Sequence, residues 1–321
     1  MTSFGAHHEW GMLEEVVVGL SPAEDFVLFH EEAQRWLLPP ADVFSRKHAG
    51  QRLIEVDAEW AARIERQVEA LAEFLIRQGV VVHRPQRLAG AERCFLAPNG
   101  EGAQLFARDG MIVVGKHVID ASLRLRCRQR ERFGLRPIIQ QVAQQRGARW
   151  SSVPLGSPGG VDGPFLEGGD VLLNGREIYV GMSGCASDLA GADWLQALLG
   201  AEYRIIPVAM RSNVHHLDGV LGLVKRGLLI HCPDRLIDGL PMSLRDWDKI
   251  TVSIDEANRL ATSILVLDEG RVIADADNGR VIEELRRRKV DVIALPFDGP
   301  IAAGGGLRSV HHPLVRESAL P

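Results

Sequence analysis

The sequence predicts an α/β fold in which one unit, a β-hairpin followed by a helix and a strand, recurs five times and closes in a ring as a single domain over residues 1–321. Three observations carry this reading. The order hairpin, helix, strand repeats along the chain; turn residues separate the paired apolar runs; and the first helix has a continuous apolar stripe. Repeats that cannot bury their own apolar faces must stack on their neighbours, and five of them in a ring make one domain rather than two.

The first unit has an apolar strand over Glu15 to Gly19, a helix from about Asp57 to Gln78 and a strand from Val80 to His83. In that helix Trp60, Ile64, Val68, Leu71, Ala72 and Leu75 recur at three- and four-residue spacing behind Asp57, a plausible N-cap. The second unit has a hairpin over Gly110 to Ile119, a basic helix starting near Ser122 and a strand from Trp150 to Leu155. In the third, Val171 to Leu173 turns at Asn174-Gly175 into Glu177 to Gly181, because Asn-Gly tolerates the positive φ of a two-residue turn. A helix around Asp193 to Leu199 and a strand from Tyr203 to Val208 follow. The fourth pairs Gly219 to Val224 with Leu228 to His231, then has an ill-defined helical stretch and a strand from Ile250 to Ile254. The fifth runs through Ile264 to Asp268, Arg271 to Ala274, a helix over Gly279 to Arg288 and a strand from Val290 to Leu295. Residues 21–52 fit no unit and read as a long insertion able to cover a site.

Composition narrows the function. A net charge of −5 argues against a general nucleic-acid binder and favours a small-molecule partner. No apolar run reaches the roughly 18 residues of a membrane span, and the opening residues lack the regions of a secretory signal, so a cytoplasmic protein is expected. Cys94, Cys127, Cys185 and Cys232 are too scattered for a zinc site or a disulfide framework. No nucleotide-binding signature is present, since Gly304 to Gly306 lack a Walker lysine, and neither cofactor nor metal is expected.

Polar residues recur at equivalent places, at or just before the hairpins of units two, three and four: Arg108-Asp109, Glu167-Gly168-Gly169-Asp170 and His216-Leu217-Asp218. In a ring of repeats these starts converge, so residues about fifty apart in sequence meet. Several carboxylates around one histidine suit a planar cation such as a guanidinium, which offers five donors to acceptor-only groups, with the histidine as proton shuttle. Each motif also has a structural reading: Asp109 as a turn or cap, Glu-Gly-Gly-Asp as a turn, His215 and His216 as half-buried histidines, and Gly304 to Gly306 as a flexible connection. Their matching positions favour a shared site. The arginines Arg124, Arg126, Arg128, Arg130 and Arg132 read mainly as a solvated basic face, one of which could pair with a substrate carboxylate.

At these residues the sequence resembles the amidinotransferase and arginine deiminase superfamily. The resemblance runs from Glu9-Trp10-Gly11-Met12-Leu13-Glu14-Glu15-Val16-Val17-Val18-Gly19, through Phe165-Leu166-Glu167-Gly168-Gly169-Asp170 and His216-Leu217-Asp218-Gly219, to the terminal glycine-rich loop. It looks nearest to bacterial glycine- and inosamine-type amidinotransferases. The resemblance implies the five-bladed α/β propeller, or pentein, with a pseudo-fivefold axis, and covalent catalysis on a guanidinium carbon. It makes Asp109 and Asp218 the guanidinium clamp and His216 the general acid and base, oriented by Glu167. Asp170 supports the turn and is a weaker substrate-binding candidate. The implied partners are a guanidino donor such as arginine and an amine acceptor, with neither nucleic acid nor membrane; a homo-oligomer is left open.

The departure is at the nucleophile. Where the family pattern has cysteine after the glycine-rich loop, Gly-Gly-Gly-Leu-Arg-Ser places Ser309. A thiolate is populated beside an imidazolium, whereas a serine hydroxyl needs full general-base assistance. Three explanations stand: an engineered cysteine-to-serine variant that holds substrate, a natural non-catalytic binding protein for guanidino compounds, or a serine-using enzyme helped by His311 and His312. Those two histidines also read simply as polar loop residues. Transferase and guanidino hydrolase share their chemistry up to the covalent intermediate, so the motifs alone do not separate them.

Overall fold

The computed structural model describes residues 4–21, 26–28, 41–96, 102–156 and 162–317. Among these, the strands form five three-stranded sheets. Their members are β1 (Leu13–Val18), β2 (Val81–His83), β3 (Met111–Val114), β4 (His117–Asp120), β5 (Arg149–Ser152), β6 (Val171–Asn174), β7 (Glu177–Met182), β8 (Arg204–Ala209), β9 (Leu221–Lys225), β10 (Leu228–His231), β11 (Asp248–Thr251), β12 (Leu265–Asp268), β13 (Arg271–Asp275), β14 (Asp291–Leu295) and β15 (His311–Arg316). Within each sheet one outer strand is antiparallel to the middle strand and the other is parallel to it. A parallel neighbour needs a crossover. Helices α1 (Ala58–Arg77), α2 (Glu131–Arg146), α3 (Leu189–Leu199) and α4 (Gly279–Arg287) supply it in four sheets. In the fourth sheet in chain order, β10 reaches β11 through the 3-10 turns Pro233–Arg235 and Met242–Leu244, which is why no helical period is legible there.

The first unit lacked a hairpin partner in the sequence because that partner is the far end of the chain. β15 pairs antiparallel with β1, placing Val18 opposite His311 and Val17 opposite His312. His311 and His312 therefore open a strand rather than lie in a loop. Other boundaries shift for local reasons. The basic segment is not helical from Ser122; Arg126–Arg130 forms a 3-10 turn and α2 begins at Glu131. At the third hairpin Asn174 is still paired, opposite Glu177, so the turn residues are Gly175 and Arg176, with Gly175 at φ +66°. Residues Ile254–Asn258 are a short helix with a Ser253/Glu256 capping box, not strand.

Helix α1 shows how pattern becomes packing. Asp57 accepts from the Trp60 amide at 2.8 Å, satisfying an open donor of the first turn, and the predicted stripe of Trp60, Ile64, Val68, Leu71, Ala72 and Leu75 is buried. Of the expected insertion, residues 22–25 and 29–40 lie outside the described residues. Its described parts are tied in: Phe26 and Leu28 are buried, the Leu53 amide donates to Phe26 at 2.8 Å, and Phe44 meets Trp60 edge to face. No helix among the described residues is long and apolar enough to cross a membrane.

Ile64 is fully buried and Ile76, on the same helix, is 59% exposed. Ile64→Ala should lower unfolding stability by about 2–5 kcal/mol and Ile76→Ala by less than about 0.5 kcal/mol, compared through urea midpoints. Equal losses would mean that the stripe does not carry the packing.

Candidate active site

The polar residues sit in the turns that lead into the first strand of each sheet. Asp109 lies two residues before β3, Ser309 two before β15, and Ser263 two before β12. Glu167 and His216 each precede a 3-10 turn, Gly168–Asp170 before β6 and Leu217–Gly219 before β9. Gly169 is required by the close approach of these turns: a Cβ there would lie 2.6 Å from His216 Nδ1 and 2.8 Å from Asp109 Oδ1.

Asp109, Glu167 and His216 meet. His216 Nε2 donates to Glu167 Oε2 at 2.9 Å, and His216 Nδ1 faces Asp109 Oδ1 at 3.6 Å. That Asp109 oxygen is buried and has no hydrogen-bond partner among the described residues. The other oxygen, Oδ2, accepts from Arg128 at 2.8 Å. Arg128 is itself gripped by Glu131 through bonds of 2.9 and 2.8 Å, and its other nitrogen reaches Glu167 Oε2 at 3.9 Å. The second Glu167 oxygen accepts from the Arg124 amide at 2.9 Å, and the Glu167 amide donates to Ser187 Oγ at 3.0 Å.

Charge follows from this geometry. Burial penalises the His216 imidazolium, but Asp109, the hydrogen bond to Glu167 and the charge of Asp170 outweigh it and raise its pKa to about 10. Burial opposes ionisation of Glu167 as well, yet the bond and charge of His216, with His215 and Arg128, hold it below the usual carboxylate value. Asp109 is likewise held down, against burial, by His216 and Arg128. The folded pKa of His216 lies above its ordinary 6.5. Its contribution to stability is therefore complete below about pH 6.5 and lost as pH rises through about 10.

The other expected residues are placed differently. Asp218 accepts from Arg308 at 3.3 Å, and Arg308 also holds Glu9 and donates to the Val171 carbonyl at 2.7 Å. Asp170 is turned to the backbone: its oxygens accept from the amides of Ser187 and Leu217, each at 3.0 Å, and burial raises its pKa to about 7. Ser309 is buried, and its carbonyl accepts from the Arg108 amide at 3.1 Å. Position 309 is thus linked through Arg108 to the Asp109 turn and through Arg308 to Asp218. His311 and His312 are neutral, burial and Arg108 holding both far below 6.5. His311 Nδ1 donates to the Leu307 carbonyl at 2.7 Å and His312 Nδ1 to the Arg108 carbonyl at 3.3 Å. The glycine-rich loop is packed rather than loose, since a Cβ at Gly305 would strike the Phe106 ring.

Sequence reasoning missed the arginines. Arg128, Arg130 and Arg132, expected on a solvated face, are each at most 5% exposed. The reason is that each has an internal acceptor: Arg128 the acids above, Arg130 the Arg93 carbonyl, and Arg132 the Ala121 carbonyl. The spacing of Arg128 and Glu131, three apart at a helix start, was the available signal. Among the described residues, Glu167, His215 and His216 bring donor atoms within 4.8 Å of one another, a set that could chelate a metal ion. The Glu167 oxygen concerned already accepts from the protonated His216 and faces Arg128, so the group is arranged for holding a proton.

No protein-family model matches the chain. It is 29% identical to a putative inosamine-phosphate amidinotransferase 2 of Streptomyces griseus, over 100% of this chain and 99% of that one. It is 24% identical to the mitochondrial glycine amidinotransferase of Xenopus tropicalis, over 94% and 80% of the two chains. In fold it matches SxtG, an amidinotransferase from Microseira wollei in the saxitoxin biosynthetic pathway, with a TM-score of 0.83 at 22% identity, covering 99% and 98% of the chains. The chain is thus similar to amidinotransferases along its whole length in sequence, and it shares the fold of one of them.

Proposed function

We propose that the protein has the site of an amidinotransferase, which takes the amidino group of arginine or a related guanidino donor and passes it to an amine, held here in an inactivated form by Ser309 at the nucleophile position. It is built as one five-bladed α/β propeller over residues 1–321, whose strand-leading turns converge on the site. The observation that carries the reading is the buried, unpartnered Asp109 Oδ1 beside an imidazolium held by Glu167. A buried acceptor without a donor is costly, and a substrate guanidinium N–H supplies one.

In the proposed mechanism Asp109 and Asp218 hold the guanidinium nitrogens. A thiolate at position 309 forms a bond to the guanidinium carbon, and the carbon–nitrogen bond to the leaving amine breaks as His216 gives that amine its proton; the Ser309 hydroxyl would first have to lose a proton that the imidazolium cannot take. His216, now neutral, takes a proton from the incoming amine, which attacks the same carbon and releases the nucleophile. The high pKa of His216 favours the first step, because the imidazolium is already populated at neutral pH. It would also favour a thiolate partner at position 309. Serine there favours a second reading, a protein that binds guanidino compounds without turning them over, because its hydroxyl is a weak nucleophile toward a resonance-stabilised carbon.

Two measurements test the reading. Ser309→Cys incubated with arginine should accumulate a covalent amidino adduct, seen by intact mass, and discharge it to a primary amine, whereas the serine form should bind without an adduct. Ammonia release indifferent to the amine would make the cysteine form a hydrolase; binding without any adduct in either form would favour the non-catalytic reading. Separately, Glu167→Gln should lower the His216 pKa by about one unit or more, followed by NMR titration of the imidazole. An unchanged titration would mean that Glu167 does not set the proton.

A further inference from the structure

Three further arginines are buried: Arg108, Arg308 and Arg316 are 4%, 3% and 3% exposed. A buried charge is tolerated when it is paired. Arg308 is paired, with Glu9 on one side and Asp218 on the other. The other two have no carboxylate within 4 Å among the described residues. Arg316 donates to the carbonyls of Gly11 and Val266, at 2.7 and 2.9 Å, and its Nε is buried without a partner. Arg108 donates to the Arg308 carbonyl and to His311 Nε2, both at 3.3 Å, so its partners are neutral.

Even with Glu9 and Asp218 both ionised, three cations face two anions, and the neutral His311 and His312 add nothing to the balance. Glu9 is fully engaged: its oxygens accept from Arg308 and from the Leu173 amide. The surplus has a place to be met. A small cavity is lined by His8, Glu9, Arg108, His312 and Arg316, with apolar walls such as Val171. His8 is buried, and its Nδ1 accepts from the Gly11 amide at 2.9 Å, which puts the ring proton on Nε2; that Nε2 is buried without a partner. Burial and Arg316 hold this imidazole neutral, lowering its pKa to about 4. A second small cavity, lined by Arg108, Thr262, Arg308 and Arg316, adjoins the same guanidinium groups.

We propose that the cavity between His8, Arg108 and Arg316 is a binding site for one small monovalent anion of chloride size. The anion accepts from the Nε2 proton of His8 and from the arginines, and it neutralises the surplus charge. Because the Arg108 amide holds the Ser309 carbonyl and Asp109 follows Arg108 in the chain, the anion braces both the clamp and the nucleophile position.

The full chain is melted in sodium chloride and in sodium gluconate at the same ionic strength, and its crystals are soaked in bromide. A chloride-specific, saturable rise of about 2–5 °C, together with anomalous density for bromide in this cavity, is expected. His8→Phe, which keeps a ring against Trp10 but removes the donor, should raise the chloride concentration at half effect by about tenfold. Equal melting in the two salts overturns the proposal whether or not bromide is seen, since a peak alone is binding at crystal concentration only. A chloride effect without density in the cavity overturns it as well, because the ion then acts elsewhere.

Discussion

The buried carboxylate and imidazolium pair of Glu167 and His216 is the constraint around which the candidate site is arranged. Neither group would stay charged alone in so dry a place, and each is the reason the other does. Their meeting requires two turns from different sheets to touch, which requires Gly169 between them and the Asp170 carboxylate stapling the amides of Ser187 and Leu217. Arg128 completes the arrangement by neutralising one oxygen of Asp109 while leaving the other open.

The same economy of buried charge runs through the whole core. Arginines expected on the surface turn inward wherever a carboxylate or a backbone carbonyl can take their donors, and a planar guanidinium can satisfy several at once. Arg308 ties together the first, third and fourth sheets through Glu9, Val171 and Asp218. The chain ends enter this network too, since β1 and β15 share one sheet and Arg316 closes onto Gly11. Position 309 lies just before the closing strand, so its placement depends on the two ends of the chain being joined.

Much of this was legible from local chemistry. Strand and hairpin positions follow from apolar runs broken by turn residues, and α1 from its stripe and its Asp57 cap, because both signals come from residues within a few positions of one another. The candidate acids and His216 were legible because they fall at one place in a repeated unit. Less legible were features that need a distant partner. The first sheet lacked its hairpin strand because β15 lies about 300 residues from β1 along the chain. The basic run near residue 128 was misread because exposure depends on what packs against it, and Glu131, Asp109 and the Ala121 carbonyl are supplied by folding.

The sequence by itself determined most strands of the five sheets and the identities of the acids, the histidine and the serine brought to the strand-leading turns, since these depend on residue type and spacing. Only the tertiary structure decided which oxygen of Asp109 is open, that Asp170 serves the backbone, that Asp218 answers Arg308, and that His311 and His312 are neutral. The physical reason is that hydrogen-bond partnership and charge state are set by neighbours a few ångströms away, and here those neighbours come from segments far apart in the chain, as Glu9 and Arg308 do.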